Sequence, residues 1–322
     1  MSTLTDALAA SMPADGDTAW GTELRNFMRT VDYLAQPSNT YFVSPTFTAA
    51  NISPYGAGSD RRHFDTIQGA IDQIEASANN HLATILVFPA TYTEELTITK
   101  SVHVCGVASG YATQGGKCEL NGNHSAPTIT VNPAAGEWIN VVFSNFKIGQ
   151  DDSTYGGVTT AWPFWVDVND QGAGNYGSIR NRIVFHNCDF KQDNLPDASD
   201  VFTYGIALDG YNQLILHQTQ LRFPDDNDFT NPIWIHGNNA QSKQGQLHMK
   251  RCEVIMSGSS GHIIDFDDSS SGIVLRSTFT RSSLALIRTF GATGSNSCSG
   301  LNSSTDFGDL ANVGGYSALF TF

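Results

Sequence analysis

One stretch, residues 64–107, limits the folds open to this chain more than any other. It reads FDTIQGAIDQIEASANNHLATILVFPATYTEELTITKSVHVCGV. Phe64, Ile67, Ala70, Ile71 and Ile74 recur at helical spacing and predict a short amphipathic helix over 64–76. Asp65, with Gln68 three positions on, has the form of a capping box at its start. Three apolar pairs at period two follow: Ile85/Val87, Leu96/Ile98 and Val102/Val104. Pro89 and the run Thr91–Glu94 separate the first two pairs, and Lys100-Ser101 the second two. Strands this close ordinarily make hairpins, yet no Asn-Gly or Asp-Gly turn joins them. That pattern suits a chain winding through successive sides of a solenoid.

The body of the chain repeats in two registers. The first runs through VVFSNFKI, IVFHNCDF, LILHQTQL, LHMKRCEV and IVLRSTFT, aligned on Phe143, Phe185, Leu216, Met249 and Leu275. The intervals are uneven but all fall within the roughly 20–45 residues of a solenoid repeat. Cys188 and Cys252 share one slot of this register with Phe146, Thr219 and Thr278, and read as small buried residues. The second register runs through FWVDVND, YGIALDG, PIWIHGN and GHIIDFDD, aligned on Val168, Leu208, Ile235 and Phe266. Alternation then turns Val166/Val168, Ile206/Leu208, Ile233/Ile235 and Ile264/Phe266 inward.

The opening stretch resembles the start of the pectin lyase-like right-handed parallel β-helices, and most of all the pectin methylesterases. There an "x-TIQ-x-AI" helix precedes "I-x-PGxYxE-x-LxI-x-K-x-V-x-V-x-G"; here Ala90 stands where that family usually has Gly. The phrase NCDF is similar to the "NCxF" strand-and-turn of the same coils. The resemblance implies an all-β fold, a right-handed parallel β-helix over residues 61–300, with a short N-terminal helical segment and a capping helix. It does not imply the esterase activity. GHIIDFDD places Asp265 as in the family's "G-x-VDFIFG" phrase, but no "GRPW"-type arginine motif or "QDTL" phrase is present.

Residues 1–60 read as an N-terminal helical segment and linker. Behind a candidate N-cap at Asp17, Trp20, Leu24, Phe27, Met28, Val31 and Leu34 predict a helix ending at Gln36-Pro37. The segment PADGDTAWGTELRNFMRTVDYL (13–34) resembles the N-terminal attachment segments of tailed-phage tail-fibre, tailspike and other virion proteins. That resemblance implies attachment to other virion proteins through residues 1–36, a place in the virion after assembly in host cytoplasm, and a homotrimer. Residues 301–322 read as a C-terminal cap or subunit-contact tail.

Charge and composition narrow the function further. The net charge of −14 opposes nucleic-acid phosphates and anionic membranes, so neither is an expected partner. The N-terminus has no basic stretch ahead of an apolar core, so no signal peptide is expected. No apolar run reaches the roughly 18 residues of a membrane span. Five cysteines without CxxC or CxxH spacing read as free thiols, and no metal or cofactor is expected.

Outward positions of the second register supply the candidate site. Asp167, Ala207, Trp234 and Asp265 form one row, and Asn169, Asp209, His236 and Asp267 the next. With strands about 4.7–4.9 Å apart, Asp209 and Asp267 stand roughly 9–10 Å apart, with His236 between them. That is near the upper end of the spacing of an inverting glycosidase pair, one carboxyl protonating the leaving oxygen and the other activating water. As an enzyme, the chain would cleave a polysaccharide with Asp209 and Asp267 as acid and base and His236 or Asp265 assisting. As a binding module, Trp162, Trp165, Asp167 and Trp234 would hold a host surface glycan, with the aspartates capping strand ends. The second alternative is the expectation adopted, because the acidic pairs coincide with turns and −14 repels polyanionic capsules.

Overall fold

In a computed structural model of the chain, the described residues are 40–47, 62–76, 83–107, 118–150 (124, 135 and 136 aside), 159–160, 165–169, 181–191, 201–223, 229–236, 245–256, 263–267, 270–281, 287–289, 297–300 and 319–320. The expected N-terminal helix lies outside them. Beginning at Ala83, the chain visits three sheets in strict rotation, A to B to C, and every pairing is parallel. Seven turns of this rotation can be followed, starting with Ala83–Val87, Thr91–Thr93 and Leu96–Ile98 and ending with Ser271–Leu275, Thr278–Arg281 and Ile287–Thr289. Among the described residues, sheet A has eleven strands, sheet B seven and sheet C eight, seven of them along its main path. The molecule is a parallel β-helix.

The core is the column of inward residues. Along sheet A, Phe143 pairs with Phe185, Phe185 with Leu216 and Leu216 with Met249, all at 0–1% exposure. The Phe143 and Phe185 rings stack at 5.6 Å, and Phe146 meets Phe143 edge-on at 5.8 Å. Along sheet C, Val168, Leu208, Ile235 and Phe266 stack as the second register requires. Helix α1 (Ile67–Ala76) covers the N-terminal end, with Ile67, Ala70, Ile71 and Ile74 buried.

Three features depart from the sequence reading. Thr40–Val43, within the expected linker, is a strand of sheet A paired with Ala83–Val87 and His63–Phe64. The start of α1 is not closed by a Gln68 capping box. Glu94 reaches back from the first coil, and its carboxylate accepts from the Ile67 and Gln68 amides at 2.9 and 2.8 Å, while Gln68 is engaged with Thr97. In the last repeat Met249 pairs with Val274 rather than Leu275, and the slot of Cys188 and Cys252 is continued by Ser277 rather than Thr278. A Cβ on Gly272 would lie 2.3 Å from the Phe266 ring, so that ring fills the space an inward side chain would take. The apolar pattern therefore shifts by one.

The A-to-B corner is tight. From the third coil onward, one or two residues make it, and Asn145, Asn187, Gln218, Arg251 and Arg276 all have φ between 49° and 65°. Asn and Gln carry the left-handed conformation at the first three, and Asn187 Nδ2 donates to Asn145 Oδ1 at 2.8 Å. Chain length varies instead at the two edges of sheet C.

Candidate functional site

At the leading edge of sheet C the strict alternation breaks. Thr128/Ile129, Trp165/Val166, Gly205/Ile206, Pro232/Ile233 and Ile263/Ile264 are consecutive and all buried. Each coil bends there, so two neighbours face inward. At Gly205 the bend needs the absence of a side chain, since a Cβ would lie 2.7 Å from the Phe223 ring and 3.3 Å from Trp165. The bend turns Tyr204 outward. Its ring stacks on Trp234 of the next coil at 4.6 Å and 10°, beside the small outward residue Ala207. Trp234 stacks in turn on His236, two residues along its own strand, at 4.7 Å and 9°. Tyr204, Trp234 and His236 form one continuous, partly exposed π-surface.

Asp209 orients the imidazole at the end of this stack. His236 pairs with Asp209 in register, and Nδ1 lies 2.7 Å from Asp209 Oδ1. Both side chains remain open to water, at 29% and 38%. The backbone below them is fixed by Gly210, at φ 68°, whose amide donates to the His236 carbonyl at 2.9 Å. Buried Asn212 donates from Nδ2 to the Asp209 carbonyl and, at 3.3 Å, to the Asn169 carbonyl. Its Oδ1 accepts from Asn181 Nδ2 at 2.7 Å. The Asp-Gly turn is thus both a strand-ending turn and the mount of the pair.

Asp167 lies diagonally behind Asp209. Burial, with the Asp209 charge adding to it, pushes its carboxyl up to about 6. Below about pH 6 one carboxyl is therefore neutral and proton-donating beside another that accepts from an imidazole. An aromatic platform bordered by such groups can stack a sugar ring and hydrogen-bond its hydroxyls.

The other candidates fall differently. Trp165 is fully buried against Phe190 and Phe223, at 5.5 and 5.0 Å, so it is a core residue and not a sugar contact. Asp265 shares the outward row with Trp234 but is 1% exposed, which removes it from direct contact with a ligand. Asp267 pairs with His236 in register; its side chain, and all of Trp162, lie outside the described residues. Tyr204 was not among the sequence candidates; the Gly205–Pro232 juxtaposition is the signal for it. Among the described residues no group of His, Cys, Asp or Glu is arranged to hold a metal ion. No described helix is long and apolar enough to cross a membrane.

No protein-family model matches the chain, and no curated protein matches it. Among solved structures it is similar to pectin methylesterase PemA from Erwinia chrysanthemi, at 13% identity and TM-score 0.41, over 84% of this chain and 82% of that one. It is also similar to the pectin methylesterase from Aspergillus niger, at 14% identity and TM-score 0.33, over 85% and 83%. A third neighbour is ORF18 of Geobacillus virus E2, at 12% identity and TM-score 0.35, over 91% of this chain and 66% of that one. The fold assignment rests on the chain's own three ladders.

Proposed function

We propose that this chain is a non-enzymatic β-helix component of a tailed-phage particle that contacts a host surface glycan through the outer face of sheet C. The carrying observation is the Tyr204–Trp234–His236 stack, held at one end by Asp209. Partly exposed aromatic rings offer apolar surface to the C–H groups of a sugar, and flanking carboxyls suit its hydroxyls. Segment 13–34 supports the particle assignment through its resemblance to virion attachment segments. In this reading residues 1–36 bind other virion proteins.

Titration of the protein with polysaccharide from the host envelope tests the glycan contact. Trp234→Ala should weaken binding at least about tenfold, a loss of roughly 1.4 kcal/mol. Equal binding by the variant, or none by the wild type, ends that part of the reading. Immunogold labelling of intact particles tests the rest; particles that carry none of the protein would refute the virion role.

One observation favours hydrolysis as a second reading. Asp167, raised to about 6, and Asp209 are neighbouring carboxyls whose environments differ, as an acid and a base require. Release of reducing ends from the same polysaccharide, lost by about 10²–10⁴-fold in both Asp167→Asn and Asp209→Asn, would establish it. Binding without product release favours the non-enzymatic reading.

A further inference from the structure

The outer face of sheet A has a composition unlike the rest of the molecule. The chain carries 31 Asp and Glu against 17 Lys and Arg. Yet none of the outward positions on the six sheet-A strands between Ala83 and Lys250 is acidic. They hold four histidines, His103, His186, His217 and His248, with Arg182 and Lys250. Sheet B presents Glu119, Asp189 and Glu253 outward, and sheet C presents Asp167 and Asp209.

A second observation is apolar. Val142 pairs with Val184, and Val184 with Ile215, in a row that points away from the core. The strand centres therefore read Val-Val-Phe, Ile-Val-Phe and Leu-Ile-Leu (141–143, 183–185 and 214–216). Unbroken apolar runs of this kind belong to parallel strands covered on both faces, not to strands with one face in water. His103 and His248 continue the row at either end. The neighbouring row runs Ser144, His186, His217, Lys250, with the two imidazoles stacked at 5.1 Å and His103 Nε2 3.0 Å from Ser144 Oγ. Eleven strands about 4.8 Å apart and about 16 Å long give a face on the order of 800 Å², the area one partner brings to a standard interface.

We propose that a second copy of this chain covers the outer face of sheet A, with Val142, Val184 and Ile215 inside the interface. Two copies that each carry −14 repel over most of their surfaces, and this face is where they approach without opposed carboxylates. The described outward rows of sheets B and C offer no comparable apolar stripe, so the stripe finds its match in another copy. Burial, together with neighbouring positive groups, lowers the pKa of His103 and His217; those groups are His186 for both, with Lys250 and Arg251 for His217. The imidazoles thus enter the contact neutral at neutral pH. Acid protonates them on both copies, beside Arg182, Lys250 and Arg251, and loosens the contact.

Sedimentation equilibrium of the full chain at micromolar concentration and neutral pH tests the proposal. A mass at least twice 34.8 kDa is expected, falling toward 34.8 kDa at about pH 5. Val184→Asp combined with Ile215→Asp should give the 34.8 kDa species with an unchanged far-ultraviolet spectrum, while Thr97→Asp on sheet C keeps the assembly. A second measurement needs no variant: diethyl pyrocarbonate should modify His186 and His217 slowly in concentrated wild-type protein and faster on dilution. A wild-type mass of 34.8 kDa, an assembly surviving in the folded double variant, one lost equally in Thr97→Asp, or histidine reactivity independent of concentration would each overturn it.

Discussion

Asp167 points outward and is nevertheless poorly solvated, and that conflict has a measurable consequence. Its proton is held more tightly in the folded chain, up to about 6, than at the ordinary carboxyl value of 3.8. Stability from this group is therefore fully present below the unfolded value and is lost as pH rises through about 6. Asp167→Asn, permanently neutral and similar in shape, should melt higher than wild type at neutral pH, with the gain vanishing at about pH 4. A variant that melts lower at neutral pH would show that the carboxylate is stabilising there. Single residues were also where sequence reasoning slipped. Trp165 precedes inward Val166, so alternation turns it outward, but the bend admits two inward neighbours and Gly205 leaves room for the indole. By the same bend Tyr204 reaches the surface that Trp234 and His236 occupy, where alternation alone turns it inward. The rows holding Asp209 and His236 were legible because their strand interiors alternate strictly.

Helix α1 shows how an element's boundary is settled by a distant part of the chain. Its buried positions follow from periodicity, since only one face meets the coil beneath. Its cap does so only in part: Thr66 Oγ1 accepts locally from the Gly69 amide at 3.2 Å, but the Ile67 and Gln68 amides are taken by Glu94, from a strand corner 27 residues beyond Ile67. Burial and nearby Asp65 push the Glu94 carboxyl up, against the two amide bonds that pull it down. Glu94→Ala should cost about 0.5–2 kcal/mol in denaturant unfolding, the range of a lost N-cap. Glu94→Gln, which keeps an acceptor, should cost less; equal losses would mean the amide contacts contribute little. The sheet-C register was readable over the four strands from Val166–Val168 to Ile264–Asp267, because each of them places apolar residues at the same inward pair. The sheet-A register failed at the last repeat, where Ile273, Val274 and Leu275 are all apolar and inward Gly272 leaves no mark in a hydrophobicity pattern.

The molecule as a whole is a column in which each coil is held by the coils on either side. Phe143 lies in the middle of that column, against Phe146 and Phe185. Phe143→Ala should cost about 3–5 kcal/mol. Because coupling in a solenoid runs between nearest neighbours, amide exchange should quicken most in Val102–Gly106 and Asn181–His186 and least in Gln246–Lys250. Uniform acceleration along the column would contradict that locality. The left-handed A-to-B corner carries a further implication. It keeps one side of every later coil at nearly constant length, while the segments flanking sheet C range from the two residues 210–211 to the twelve residues 169–180. Such a frame separates inheritance of shape from inheritance of taste: segments beside the Tyr204–Trp234–His236 surface can be exchanged, lengthened or trimmed between lineages while the corner keeps the count. A graft of those segments alone should then carry ligand preference from one column to another.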